Sequence, residues 1–533
     1  MIKTVDTTED KASLTAEIIF IALVTCSVFI RMVNIASPLL EAHAFRQTQT
    51  AITIWTFVKE GIDFFSYQTP VFGPPWQAPF EFPLFQAAAA LIVKAGVSNI
   101  DTAARMTNIM FFYLSAFFLF VLCGRFFREQ GITYTIVLCY VLSPYTIFWS
   151  RTSMIDYASV AFALGYFYFF LHLLDDTDGL FTLSGTVVFG ALGYLVKITT
   201  MPVVVFPLAY FIVKQLWSKH RAGSGLLSFI YREKRFLIKL IIAIVVPVGI
   251  GCLWTIHADN IKNASLFTKW LTSEYLEGWN YGTWSQRAQI NIWITIFRHI
   301  IQFLPLTFVL IPVGLAFVLK HPRRYIEFIY TGIIGTVLTI FIFFNLYKAH
   351  NYYPMAVTPF LATVVGFAIY HIFSILLVKK TAALLLKRCL AAACIVLLGY
   401  LYVNTAKTYL KSPLITNKYS SSTISDFLKI ITQPDEYIII TDHLWNPSIL
   451  YYARRKGFMI NKDYDYGARL LAFFKEHNFT TVVTVHDYPE LLSNWRYVLK
   501  IAPHRIIGLN IYKVTDDPQV FEDYKKLNDI KIS

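Results

Sequence analysis

Between residues 41 and 49 the sequence EAHAFRQTQ gathers an acid, an imidazole, a guanidinium and two amides: Glu41, His43, Arg46, Gln47 and Gln49. A carboxylate can take a proton from a hydroxyl, and nearby cations can stabilise an anionic leaving group. A polar loop that merely faces water has the same composition, so the cluster needs support from elsewhere in the chain. In SRTSMIDYASVAFALGYFYFF (150–170), Arg151 and Asp156 flank the start of an apolar run. An acid there can serve the free amides and dipole of a helix start, or chemistry, or both. In GYLVKITTMPVVVFP (193–207), Lys197 stands alone between two apolar runs. It calls for an anion, either a lipid headgroup or a phosphate-bearing substrate. In NLYKAHNYYPMAVTPFL (345–361), Lys348 and His350 adjoin Tyr352 and Tyr353.

The elements that must carry these residues are membrane helices. Hydrophobic residues make up 56% of the 533, aromatics 17% and charged residues only 15%, whereas soluble domains carry about 25% charged residues. Many apolar runs are long enough to cross about 30 Å of hydrocarbon. The net charge of +14 does not indicate nucleic acid, because the basic residues sit in short loops between apolar runs, as the positive-inside rule requires. Cys26, Cys123, Cys139, Cys252, Cys389 and Cys394 lie inside apolar runs and read as small hydrophobes, with no disulfide framework or metal-type CxxC. The first twenty residues lack the basic start and small-residue cleavage site of a secretory signal, so the first run reads as a retained anchor.

Spans are expected near 14–34, 104–124, 132–149, 155–174, 182–197, 199–216, 237–256, 300–319, 326–345, 354–378 and 384–403. The basic segments 124–130, 214–239, 320–324 and 379–388 fall on one side only if 79–97 lies along the membrane as a juxtamembrane helix and does not cross it. That gives about eleven spans with the N-terminus inside. Segments 35–103, 150–154, 257–299 and the tail from about 404 then lie outside. The expected domains are a transmembrane catalytic domain (1–403) and an extracytoplasmic domain (404–533). In the tail, apolar strands alternating with helical periods read as a small α/β domain. Carboxylates Glu41, Glu81 and Asp156 and cations Arg46, Lys197 and Lys348 thus share the outer side. A transporter or flippase of a lipid-linked or anionic substrate is the alternative. It would set its ionisable groups near mid-membrane on broken helices in paired halves, whereas here they occupy the outer rim.

The order of these features resembles the GT-C fold glycosyltransferases, in the branch of protein O-mannosyltransferases and the lipid A aminoarabinose transferase. The resemblance rests on Glu41 after a first span, the Pro-containing PFEFPLFQAAAALIVKAG, Arg105 in DTAARMTN, and Asp156 after an SR turn. It continues through Lys197 with Pro202, His350 to Pro354, and a closing soluble domain. It covers roughly residues 14–500 and is densest over the first 210 or so. The first acid of the branch is usually Asp, and here it is Glu. The branch's proline segment commonly carries His or Lys, and here it reads Glu81-Phe82-Pro83.

The resemblance implies transfer of a sugar, hexose or pentose, from a polyprenyl-phosphate-linked donor to an acceptor hydroxyl on a glycan, lipid or protein, with inversion. Lipopolysaccharide or protein glycosylation at the outer face of a bacterial inner membrane is the setting it suggests. Glu41 would act as general base, Asp156 would orient its neighbours, and Lys197, Arg46, His350 and Lys348 would meet the donor phosphate. His43, Gln47, Glu81, Arg105, Arg151, Tyr352 and Tyr353 are further candidates. No cofactor is called for. A divalent metal stays open, since Glu41, His43, Glu81 and Asp156 are ligand types without tight ligand spacing.

Overall fold

The computed structural model describes residues 7–175, 179–221, 226–377, 393, 396–397, 399–404, 406–407, 421–460, 467–486, 488–501 and 509–526. The chain divides into two compact units. One, here the transmembrane unit, comprises residues 1–35, 105–256 and 273–411; the other, the composite unit, comprises 36–104, 257–272 and 412–533.

The helices before residue 378 are α1 (Thr7–Met32), α2 (Ala44–Glu60), α3 (Leu84–Lys94), α4 (Ile100–Phe126), α5 (Gln130–Leu142), α6 (Pro144–Trp149), α7 (Asp156–Leu174), α8 (Gly179–Lys197), α9 (Pro202–Arg221), α10 (Leu226–Arg232), α11 (Lys234–Asn263), α12 (Glu277–Tyr281), α13 (Trp284–Arg287), α14 (Ile290–Ile300), α15 (Thr307–Val318), α16 (Arg323–Ile342), α17 (Phe344–Ala349) and α18 (Thr358–Leu377). Among the described residues, seven helices are long and apolar enough to cross a membrane, and the protein is an integral membrane protein.

Several expected spans take a different form. The run 132–149 is not one helix. It breaks at Ser143, because the residue before Pro144 is driven out of the helical region. The Ser143 side chain then accepts from Thr146 N and starts α6. The expected span 300–319 begins on the last residue of α14 and is otherwise α-helical over α15, and Leu306 before α15 adopts a left-handed backbone (φ 61°). Over 79–97 the helix is only α3, eleven residues. At 1.5 Å per residue it is about 16 Å long, short of the roughly 30 Å of hydrocarbon. The span 384–403 and the basic segment 379–388 fall largely outside the described residues, as do Cys389 and Cys394. The other four cysteines are free thiols.

Helices α7 and α8 form an antiparallel hairpin of two nineteen-residue helices. Equal lengths bring the first residue of α7, Asp156, level with the last residue of α8, Lys197. Small residues let the helices approach closely, as is usual in membranes. A Cβ at Gly165 would lie 2.3 Å from the Phe189 ring, and one at Gly190 would lie 2.7 Å from Tyr166.

The composite unit is built on a five-stranded sheet of order β2-β1-β3-β5-β4. Its strands are β1 (Tyr437–Ile440), β2 (Gly457–Met459), β3 (Phe479–Thr484), β4 (Tyr497–Ile501) and β5 (Asn510–Thr515). β1 pairs parallel with β2 and β3, and β5 pairs antiparallel with β3 and β4. The exposed edge of β2 would be left with unpaired amides. It is covered by residues 70–73: Gly457 N donates to Pro70 O (3.1 Å), Met459 N to Val71 O (2.9 Å), and Gly73 N to Gly457 O (3.2 Å). Phe267, from the 257–272 segment, packs into the sheet's apolar core with Ile439, Phe458, Phe474 and Val482.

Candidate active site

The transmembrane unit gathers Asp156, Lys197, His350, Tyr352 and Tyr353. Lys197 Nζ lies 2.5 Å from Asp156 Oδ1, with the two side chains 6% and 5% exposed. The expectation of a cation lacking an anion within the protein is therefore corrected: the hairpin geometry supplies Asp156. Nor does Asp156 act as a helix cap, since α7 begins after Ile155 with no side-chain cap. The ammonium also lies over the Tyr353 ring, 4.3 Å from its centroid, and 5.5 Å from that of Tyr352. Ring faces carry negative potential and hold the cation from a second direction. His350 stacks on Tyr352 and Tyr353 at 5.0 and 5.8 Å. Tyr145 OH fixes this segment by donating to Asn351 O (2.9 Å) and Tyr352 O (3.1 Å), and Ser159 Oγ donates to Lys197 O (3.1 Å). Asp156 Oδ2 is buried and has no hydrogen-bond partner among the described residues. Lys348 is half-buried in the last turn of α17.

The turn that leads into Asp156 rests on a buried polar scaffold. Arg105 lies inside α4, is fully buried, and donates to Arg151 O. Arg151 Nη2 donates to Val33 O (2.6 Å). Asn108 Nδ2 donates to Trp149 O (2.9 Å) and Thr152 O (2.8 Å). Arg31, fully buried, donates to Ser150 Oγ (2.8 Å), Ser27 O (3.0 Å) and Val141 O (2.9 Å) and sits 4.2 Å from the Phe112 centroid. Arg31 and Asn108 escaped the sequence reading. Arg31 carried a usable signal, since a cation ending the first apolar run departs from the inside-positive pattern as Lys197 does.

The composite unit holds the remaining candidates. Glu41 is buried. His43 adopts a left-handed backbone (φ 56°) immediately before α2, and Gln47 Nε2 donates to Ala42 O (2.9 Å), closing the turn between them. Arg46 Nη2 lies 2.5 Å from Glu81 Oε1, and Arg46 Nη1 donates to Gln49 Oε1 (2.7 Å). Tyr67 OH accepts from Phe80 N (2.6 Å) and donates to Glu81 O (2.9 Å). Burial, with the Glu81 carboxylate beside it, pushes the Tyr67 phenol above its ordinary value, so it stays protonated and keeps donating. The loop before Glu41 is tied to the tail, a link that sequence reasoning missed. Leu39 N donates to Tyr452 OH (2.5 Å), and Tyr452 OH donates to Asp101 Oδ2 (3.0 Å). Tyr451 OH binds the other oxygen of Asp101. Among the described residues no three His, Cys, Asp or Glu side chains converge as metal ligands.

Chemically, the chain thus offers a buried carboxylate in a constrained turn, a neutralised arginine–glutamate pair, and a buried ammonium held between a carboxylate and two tyrosine rings. Residues 77–250 match the protein family described as dolichyl-phosphate-mannose-protein mannosyltransferase. Among solved structures, ArnT from Cupriavidus metallidurans bound to undecaprenyl phosphate has the same fold, with a TM-score of 0.64 at 12% identity over 92% of this chain and 97% of that one. The same protein in its apo state gives 0.58 at 11% identity, over 95% and 99%. No curated protein sequence matches the chain. The fold is the GT-C fold, and residues 77–250, in the first half of the chain, carry a membrane glycosyltransferase family signature.

Proposed function

We propose that this protein transfers a sugar from a polyprenyl-phosphate-linked donor to an acceptor hydroxyl on a glycan, lipid or protein, with inversion, at the outer face of a bacterial inner membrane. One observation carries the reading. The family signature over 77–250 spans Glu81, Arg105, Arg151, Asp156 and Lys197, in a chain sharing the fold of a protein solved with undecaprenyl phosphate.

In this reading Glu41 takes the proton of the acceptor hydroxyl as its oxygen attacks the anomeric carbon. The bond from that carbon to the phosphate oxygen breaks, and polyprenyl phosphate leaves with the electron pair. Charge on the leaving phosphate grows in the transition state, so a fixed cation is worth more there than in the ground state. Lys197 has that property: Asp156 and the Tyr353 ring hold its ammonium in place. A lysine has three N–H donors, and Asp156 occupies one. Asp156 positions Lys197, and His350, Lys348 and Arg46 are further phosphate contacts.

The test compares a strain lacking the gene with strains complemented by wild type or by Glu41→Gln. Mass spectrometry of envelope glycans, lipids and proteins should find one sugar missing in the deletion and restored by wild type. Glu41→Gln keeps the side chain's size and should lower transfer by about 10²–10⁴-fold, the usual cost of losing a general base, with normal expression. Identical envelopes with and without the gene would overturn the proposal, and a variant keeping a third of the activity would remove Glu41 from its role.

A further inference from the structure

At the end of α7 away from Asp156 lies a cavity of about 380 Å³. α7 is nineteen residues long, which sets the cavity roughly 28 Å along the helix from the Asp156–Lys197 pair. Its polar wall is formed by Arg125, Asp175, Lys214, Gln215, Arg324 and Glu327, and Phe126, Leu171 and Phe211 line the rest. Arg125, Lys214, Gln215, Arg324 and Glu327 lie in or beside the basic segments that loop charge assigns to the cytoplasmic side.

The two carboxylates already have dedicated partners. Asp175 pairs with Arg125 at 2.5 Å. Glu327 receives Lys214 Nζ at 2.5 Å, Arg323 Nε at 3.0 Å and Tyr210 OH at 2.9 Å. Gln215 Nε2 donates to Leu174 O at the end of α7 (2.9 Å), which satisfies that carbonyl. Arg324 lies over the Tyr325 ring, 5.4 Å from its centroid, and its Nη2 is buried with no hydrogen-bond partner among the described residues. It also sits in the first turn of α16, a twenty-residue helix whose N-cap, Pro322, provides no side-chain cap. The uncapped amides there add partial positive charge at the same end. A guanidinium with one buried, unbonded nitrogen and a helix N-terminus beside a partly apolar cavity suit the oxygens of a phosphate.

We propose that this cavity binds the phosphate group of an anionic ligand, carried by a glycerophospholipid headgroup or by a soluble phosphate ester. A basic pocket between helices at the cytoplasmic surface is where anionic headgroups are ordinarily recognised. The inference is independent of the transfer reaction.

Native mass spectrometry of the full-length protein in detergent tests it, with three probes: dioctanoyl phosphatidylglycerol, the zwitterionic dioctanoyl phosphatidylcholine, and glycerol 3-phosphate. One equivalent of phosphatidylglycerol should be retained in preference to phosphatidylcholine. Arg324→Gln should lower retention on the order of tenfold, the effect of losing one charge-assisted contact. Gln215→Glu adds a negative charge to the wall while leaving Arg324 intact, and should lower retention as well. It carries the test alone if Arg324→Gln does not fold. Equal binding of glycerol 3-phosphate would identify a soluble ligand, and binding of the lipid alone would identify a bilayer source. Retention no better than phosphatidylcholine, with no preference for glycerol 3-phosphate either, would overturn the proposal, as would retention unchanged in the folded variants.

Discussion

A carboxylate and an ammonium buried together cost desolvation energy that their attraction only partly offsets, and removing one partner strands the other. Asp156 and Lys197 are in that position. Lys197→Ala should therefore lower thermal stability by about 3–5 kcal/mol as well as abolish turnover. Two losses in one variant do not separate structure from chemistry, but a double variant does. Asp156→Asn with Lys197→Met removes both charges and should recover most of the thermal midpoint, read by size-exclusion chromatography after heating, while transfer stays absent. Lys197→Arg should keep partial transfer, since the charge is retained in a differently shaped group. Transfer by the double variant at the wild-type rate would reduce the pair to a structural role. From the sequence, Lys197 was recognisable as a cation out of place. Its partner 41 residues earlier was not, because nothing local in either stretch specifies that the two helix ends meet.

At the scale of elements, that meeting follows from two helices of equal length and from glycines that seat aromatic rings. Loop charge requires 79–97 not to cross. α3 there has eleven residues, and α5 and α15, within the expected spans 132–149 and 300–319, have thirteen and twelve. In a background lacking the native cysteines, a cysteine at 124–130 should stay unlabelled by an impermeant thiol reagent applied outside, and one within 257–299 should react. Labelling at 124–130 from outside would reverse the side assigned to every basic loop. The break at Ser143 is local chemistry, visible in the Ser-Pro pair but hidden within an unbroken apolar run. Hydropathy measures transfer into lipid and is blind to the backbone constraint that proline places on its predecessor.

For the chain as a whole, composition changes near residue 404, and a boundary drawn there follows the change in material. The contacts divide the chain differently, placing 36–104 and 257–272 with the tail. The pairing that joins them uses only a few residues of strand-like backbone at 70–73, too short for any alternating pattern to register. Gly73 adopts a positive φ of 78°, and a Cβ there would lie 2.7 Å from Phe473, so this junction tolerates little substitution. The functional consequence runs through Tyr452. Its hydroxyl accepts from Leu39 N and donates to Asp101, which holds the chain two residues before Glu41. In the proposed reaction Glu41 must keep its carboxylate within hydrogen-bond reach of the acceptor, and small displacements at that distance are costly. Tyr452→Phe removes one oxygen and leaves the ring. The buried donor it strands costs about 1–3 kcal/mol, enough to let the Glu41 loop shift without unfolding the sheet. We expect turnover to fall about tenfold, with little change in the KM for the lipid-linked donor and a thermal midpoint close to wild type. A rise in donor KM at constant turnover would mean that Tyr452 serves donor binding, and wild-type kinetics would mean that the loop before Glu41 is held by other contacts.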